Sequence, residues 1–383
     1  MKGRNYTMDE RLKLFAEQTA KKIERKMKAT VLRNQENIPY TSIDGAYNDY
    51  RDNICKWTNG FWPGMLWLMY MDTKDPIYRE VAERAERTLD RAFCEFYGLH
   101  HDVGFMWHIS SGLNYRLTGN SESRIRTLLA ANLLMGRYNV EGGYIRAWNE
   151  RNNEHNIGWA IIDCMMNLSL LYWASSEAED PRFSYVAKRH ADKTLEHHLR
   201  GDGSCKHIVV YDPETGEELD DRGGQGYAKG SSWSRGQAWG LYGFTISYEY
   251  TKDSRYLDAA KSIANYFISN VSSTDWLPLC DFRSPETPVI YDSTAGAIAA
   301  SGLIELSRNV TEEERRMYET AAGKILMAME EKFCNWNVDE DSILQMGTER
   351  YHGEEGRHIP IIYGDYYFIE AISKLNGNQF HIW

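Results

Sequence analysis

Two kinds of apolar pattern alternate along the chain. Six segments are apolar on nearly every side: "WTNGFWPGMLWLMYMDTKD", "DVGFMWHISSGLNYRLTGN", "NIGWAIIDCMMNLSLLYWASSEAED", "SSWSRGQAWGLYGFTISYEYTKD", "DSTAGAIAASGLIELSRNVTEEE" and "YGDYYFIEAISKLNGN". Each begins with Gly, aromatic and polar residues, runs on as an apolar helix and ends near a polar turn. After each of the first five comes a segment of the second kind, such as "PIYREVAERAERTLDRAF" or "SRYLDAAKSIANYFIS", whose apolar residues return every three or four positions opposite a charged face. The joints "TKDPIY", "TGNSES", "AEDPRF", "TKDSRY" and "TEEERR" are helix stops followed by N-cap residues. The unit is a helical hairpin. The amphipathic N-terminal stretch around Leu12, Phe15 and Ile23 supplies the outer partner of the sixth apolar helix.

A helix that is apolar all round must be buried all round. Six hairpins closing on themselves achieve this with an inner ring of apolar helices inside an outer amphipathic ring, which predicts an all-α fold, an (α/α)6 barrel. Residues 1–383 are then a single catalytic-sized domain; the alternative is an open solenoid of the same hairpins. The segments leading into the inner helices are long and rich in Gly and aromatics, whereas the inner-to-outer turns are short, so the site is expected at the end where the long loops gather. The longest, 200–235, contains "KHIVVYDPETGEEL", which reads as a small β-hairpin, and "LPLCDFRSPETPVIYDSTAG" and "LQMGTERYHGEEGRHIPIIYGDY" precede the fifth and sixth inner helices.

Composition narrows the partners. A formal net charge of −11 and the lack of any long Lys/Arg block argue against a nucleic-acid or anionic-membrane surface. Twelve Trp and twenty-five Tyr suit a large core or a cleft that stacks sugar rings. The cysteines, Cys55, Cys94, Cys164, Cys205, Cys280 and Cys334, are scattered without a CxxC pair, so they read as reduced thiols of a cytoplasmic protein and give no zinc framework; no metal and no cofactor are expected. There is no signal-peptide h-region and no membrane span, and the chain is expected to be a monomer or a weak homo-oligomer.

Two carboxylates stand out. Asp163 lies in an apolar run, expected two turns into the third inner helix, and Asp102 opens the second in "HHDVGFMW". If both helices line the barrel the two can face one cavity, with the pKa of Asp163 raised by Trp159, Ile162 and Met166 as a general acid working near neutrality requires; a structural bond from Asp163 to a neighbouring helix is the other reading. The stretch "GQGYAKGSSWSRGQAW" offers Gln225, Trp233, Arg235, Gln237 and Trp239: an aromatic face for a sugar ring, amides for hydroxyls and a guanidinium for a carboxylate. Trp239 fits core packing equally well. His207, in the hairpin, could serve a substrate or only the loop backbone. The pair Asp220 and Asp221 has no DDxxD continuation, and phosphate-loop, dinucleotide and GxSxG signatures are missing.

The motifs "WTNGFWPGMLW", "HDVGFMW", "NIGWAIIDCMMN", "QGY" with "SWSRGQAWGLYG", and "YGDYYFIEAI", in this order from about residue 40 onward, make the chain resemble the unsaturated glucuronyl hydrolases, glycoside hydrolase family 88. The sister family of unsaturated rhamnogalacturonyl hydrolases shares the barrel but typically lacks the "RGQAW" form. The resemblance implies an (α/α)6 barrel that hydrates the C4=C5 vinyl ether of a terminal unsaturated uronic acid left by a polysaccharide lyase, releasing the adjoining sugar. It implies Asp163 as general acid/base and Asp102 as the second carboxylate, with His207, Gln225, Trp233, Arg235 and Trp239 lining the site and Trp57 or Trp62 adding a stacking face. The implied partners are unsaturated uronic-acid disaccharides or short oligosaccharides from glycosaminoglycans. Where sulfate-handling members have a Ser-x-x-Ser-x-Lys pattern, this chain has Arg350, Gly353 and Glu355, which points to an unsulfated or differently sulfated substrate. A rhamnogalacturonyl-type hydrolase and a non-catalytic carbohydrate-binding barrel are the competing readings.

Overall fold

The computed structural model describes residues 8–149 and 155–383. Its helices are α1 (Met8–Arg33), α2 (Phe61–Thr73), α3 (Pro76–Cys94), α4 (Val103–Trp107), α5 (Ser111–Thr118), α6 (Ser121–Met135), α7 (Cys164–Glu177), α8 (Pro181–His197), α9 (Ser234–Thr251), α10 (Ser254–Ser272), α11 (Ser293–Ser307), α12 (Glu312–Phe333) and α13 (Ile362–Leu375). Helices α2, α4–α5, α7, α9, α11 and α13 form the inner ring. Neighbours pack in that order, and the ring shuts where α13 meets α2 and α4 meets the 3-10 turn Trp57–Gly60. That closure excludes the open solenoid. Helices α3, α6, α8, α10 and α12 pack outside their predecessors, and α1 backs α13.

The local causes follow the pattern of the sequence. Every residue of α11 is buried, as are Cys164–Ala174 of α7 and Ser234–Ser247 of α9. In α3 the buried residues Tyr78, Val81, Ala82, Ala85, Leu89 and Ala92 hold one stripe. The expected caps form: Asp75, Asp180 and Asp253 accept the backbone N–H two residues on, and Thr311 with Glu314 completes a capping box. One inner helix departs from expectation. The second is broken into α4 and α5 at His108–Ser110, where Ser110 leaves helical geometry and its hydroxyl donates back to Met106 O.

Aromatic rings fill the barrel axis. Phe61, Phe105, Trp239 and Tyr367 follow one another at centroid distances of 5.1–5.5 Å, and Trp383 lies flat on Tyr367 at 5.9 Å. Beneath them Lys374 bridges Glu305 at 2.7 Å and Glu370 at 2.8 Å. At the other end, short strands brace the long loops. Strands β1 (Ser42–Ile43) and β2 (Ala46–Tyr47) pair, as do β3 (Tyr138–Asn139) and β4 (Tyr144–Ile145). A three-stranded antiparallel sheet joins β5 (Trp159–Ile161), β6 (Ile208–Tyr211) and β7 (Glu218–Arg222), so the hairpin expected around "DPETGE" is present and gains an extra strand. No helix of the described residues is long and apolar enough to cross a membrane.

Candidate active site

Asp163 is not inside a helix. Within "GWAII" the residues Trp159–Ile161 form strand β5, which pairs with β6, and Asp163 occupies the residue before α7. An apolar run of this length fits a buried strand as well as a helix, and the partner strand decides between them. Asp102 likewise occupies the residue before α4. Neither carboxylate caps its own helix, so both are free to face the end of the barrel.

Asn167, one turn into α7, ties the two together. Its Nδ2 donates to Asp102 Oδ1 at 3.2 Å and to the Asp163 carbonyl at 3.4 Å, while its Oδ1 accepts the Phe105 N–H at 3.0 Å. The approach needs Gly104, since a Cβ there would stand 2.5 Å from Asn167 Oδ1.

The environments drive the two acids apart. Burial, reinforced by the charge of Asp102 and opposed by Arg235, raises Asp163 from 3.8 to about 8. Burial also pushes Asp102 up, but His101, His100 and Asn167 outweigh it and hold Asp102 below its ordinary value. At neutral pH one carboxyl is protonated and its neighbour ionised, the division that acid catalysis beside an anchoring carboxylate requires.

His207 flanks Asp163. His207 Nδ1 meets the Gln225 backbone N–H at 3.1 Å and the Gly223 carbonyl at 3.3 Å, which anchors the ring and leaves Nε2 3.7 Å from Asp163 Oδ2. Burial lowers His207 to about 3, so it is neutral. His207 Nε2, Asp163 Oδ2 and Trp233 Nε1 are buried without hydrogen-bond partners, and such atoms gathered at one place mark a ligand site. The ring of Trp233 lies 4.3 Å from that of His207.

Arg235 is placed differently from a loose anchor at a helix start. It is 1% exposed, forms an ion pair with Asp292, and donates to the carbonyls of Thr348 and Glu349 at 2.7 Å each. Its guanidinium lies over Trp233 at 4.5 Å and Tyr363 at 5.5 Å. The acidic partner, Asp292, caps α11 and is far away in sequence, which is why pattern alone missed it.

The tryptophans separate cleanly. Trp57 is half-buried and stacks on Tyr363 at 5.2 Å, at the site end of the axial column. Trp62, the alternative to Trp57 as a stacking face, and Trp239, which fitted core or ligand equally, are both packed into the interior: each is fully buried, Trp62 against the edge of Tyr47 and Trp239 between Phe105 and Tyr367. Gln225 is half-buried, and its side-chain amide donates to Glu349 O at 2.7 Å while Tyr351 N–H donates to Gln225 O at 2.8 Å. These bonds bring the segment bearing Arg350 to the rim, where Arg350 and Glu355 are exposed.

His100, His101, Asn167, Tyr363 and Asp292 were not singled out from the sequence. The doublet "HHD" and the i, i+4 spacing of Asp163 and Asn167 carried signals for three of them.

Comparison with known proteins finds relatives along nearly the whole chain. The profile of Glycosyl Hydrolase Family 88 matches residues 22–247. The unsaturated glucuronyl hydrolase of Bacillus sp. (strain GL1) is 35% identical over 355 residues, 91% of this chain and 93% of that protein. The unsaturated chondroitin disaccharide hydrolase of Streptococcus pyogenes serotype M1 is 33% identical over 356 residues, 91% of this chain and 88% of that protein. The crystal structure of the Bacillus sp. GL1 unsaturated glucuronyl hydrolase, described as responsible for glycosaminoglycan degradation, superposes with a TM-score of 0.88 at 33% identity, covering 94% of this chain and 97% of that one.

Proposed function

Because this chain belongs to glycosyl hydrolase family 88, we infer that it releases the terminal 4,5-unsaturated uronic acid from lyase-generated glycosaminoglycan oligosaccharides by hydrating the C4=C5 vinyl ether. The observation that carries the mechanism is a buried carboxyl, Asp163, raised to about 8 beside an ionised Asp102. Neutral Asp163 donates its proton to C4. The positive charge that develops at C5 is shared with the ring oxygen, and water adds there, giving up a proton to the Asp163 carboxylate. The product is a hemiketal. Its C5–O5 bond breaks to leave a ketone at C5 and a hemiacetal at C1, which collapses to an aldehyde and sets free the adjoining sugar. The carboxylate-spacing rule for glycosidases does not govern this reaction, because the anomeric carbon is not attacked.

Asp102, held by Asn167, is suited to accept hydroxyl protons of the unsaturated ring, and its negative charge helps keep Asp163 protonated. His207 Nε2 and Trp233 Nε1 are the donors nearest to hand for the same ring, and Trp57 with Tyr363 offers it a face. Arg235 supplies positive potential toward the uronate carboxylate from within the wall. Arg350 at the rim, beside Gly353 and Glu355, favours an unsulfated or differently sulfated leaving sugar. In this reading residues 1–383 act as one catalytic domain, a monomer or weak homo-oligomer, without nucleic acid or membrane as partner. Six unpaired cysteines suit the cytoplasm.

The test follows the ultraviolet absorbance of the C4=C5 chromophore with unsaturated disaccharides from hyaluronan, chondroitin, heparin and rhamnogalacturonan, each alone. Loss with a glucuronyl substrate is the expected result. Loss confined to the rhamnogalacturonan product would favour the sister activity, and no loss with any substrate would leave a carbohydrate-binding barrel.

A further inference from the structure

Asp102 takes part in a second grouping that hydration chemistry leaves unexplained. His100 and His101 directly precede it, all three are buried, and their ligand atoms lie within 4.8 Å of one another. Asp102 Oδ2 is 3.3 Å from His100 Nδ1 and 3.3 Å from His101 Nε2. His101 leaves both ring nitrogens buried without a hydrogen-bond partner, and His100 Nδ1 meets Asp102 only as a long, poorly aligned contact. Buried polar atoms left unpaired in this way are unfavourable unless something fills the space between them. Three ligand atoms converging with His101 wholly unpaired suit a body between them.

A tetrahedral Zn2+ holds nitrogen and carboxylate oxygen at about 2.0–2.1 Å, which sets neighbouring ligand atoms about 3.3 Å apart. Both separations from Asp102 Oδ2 equal that edge. Two imidazoles and one carboxylate form a donor set that borderline metal ions favour, with a fourth position left for water. Asn167 holds Asp102 by Oδ1 and leaves Oδ2 for the ion, as a supporting outer shell does. His100 also lines a cavity of about 600 Å³, together with the exposed Phe96, Tyr97 and Leu129. Arg137, on the same wall, is committed to the carbonyls of Arg146 and Ala147 and to the Asn149 side chain. The expectation of no zinc rested on the cysteines, and this grouping uses none.

We propose that His100, His101 and Asp102 form a transition-metal site, suited to Zn2+, whose occupancy takes Asp102 away from the sugar and reversibly switches off hydrolysis. The switching half rests on the role given to Asp102 above; the metal site does not. Metal-stripped protein is titrated with Zn2+ against a chromophoric chelator, without substrate. One Zn2+ per chain is expected, with affinity reduced about tenfold or more in His100→Gln and in His101→Gln, since even an outer-shell loss costs about 10–100-fold. Co2+ should give the intense visible bands of a tetrahedral ion in the wild type and lose them in both variants. Circular dichroism confirms that the variants are folded. No stoichiometric binding, or binding of undiminished affinity in both variants, would overturn the site. The second arm measures chromophore loss with and without Zn2+. Inhibition relieved by chelator and weakened about tenfold in His100→Gln supports the switch. Stoichiometric binding without inhibition, or activity lost on stripping and restored by Zn2+, overturns it, whereas no activity either with or without Zn2+ would count against the proposed function instead.

Discussion

Replacing Asp163 with Asn preserves shape and removes a charge that the fold resists. In the folded chain Asp163 keeps its proton up to about pH 8, whereas in the unfolded chain it releases it near 3.8. Between those values the folded state binds more protons, so wild-type stability falls as pH rises, and the fall is complete only above the folded pKa. The carboxamide of the variant has no proton to lose. Measured from about pH 5 to about pH 8, the wild type should therefore lose about 3–4 kcal/mol relative to Asp163→Asn, because each pH step between the two pKa values is worth about 1.36 kcal/mol. The assay is urea unfolding of both proteins at the two pH values, comparing the change in their difference so that other titrating groups cancel. Turnover should drop by about 10²–10⁴-fold, the contribution of a general acid. A stability difference that stays constant across this range would mean that Asp163 ionises normally, and the acid role would fall with it. Wild-type turnover in a folded variant would refute that role directly.

The same proton predicts that kcat/KM declines above about pH 8, about tenfold for each further pH step of one, as Asp163 ionises; a profile that stays level through about pH 10 would contradict it. Asn167→Ala frees Asp102 and the Phe105 N–H, and should lower kcat/KM about 10²-fold while the circular dichroism spectrum stays native, since small displacements at a reacting centre have that effect. Arg235→Met strands Asp292 in the interior and should cost about 3–5 kcal/mol in urea unfolding, much of it recovered in the double variant with Asp292→Leu. Trp57→Ala should raise KM with little loss of stability, whereas Trp62→Ala should cost about 3–5 kcal/mol; equal KM effects from both would show that Trp62 also meets substrate.

The barrel was legible because its evidence is repeated and local. Apolar inner segments, amphipathic outer ones and capped joints each state the same hairpin, and Asp75, Asp180, Asp253 and Thr311 cap where the pattern placed them. Asp163 was legible as a charge in the wrong company, but its setting was not. The residues of β5 are apolar in a way that helix and strand share, and only pairing with β6, some fifty residues on, settles the matter. The fate of Arg235 was hidden for a like reason. A guanidinium near a helix start looks available until Asp292, from another inner helix, is brought against it. The choice between Trp57 and Trp62 turned on geometry as well: in "WTNGFW" both rings seem able to reach the mouth, yet Trp57 ends in the turn and Trp62 turns inward.

The seam that shuts the ring has a consequence for how the molecule forms. Helix α2 must find α13, and Ser373 donates to Asp72 across 301 residues. Because loop-closure entropy grows only logarithmically, this costs the finished barrel little, but contacts of such separation slow the approach to it. During synthesis five hairpins emerge before the sixth exists. Until then α2 and α11 each present an apolar flank with no neighbour, the kind of surface on which partly folded chains associate. Helix α13 therefore acts as a keystone. Cutting the chain before α13 should yield an aggregating ring with a gap, even though every residue proposed for acid catalysis is already in place.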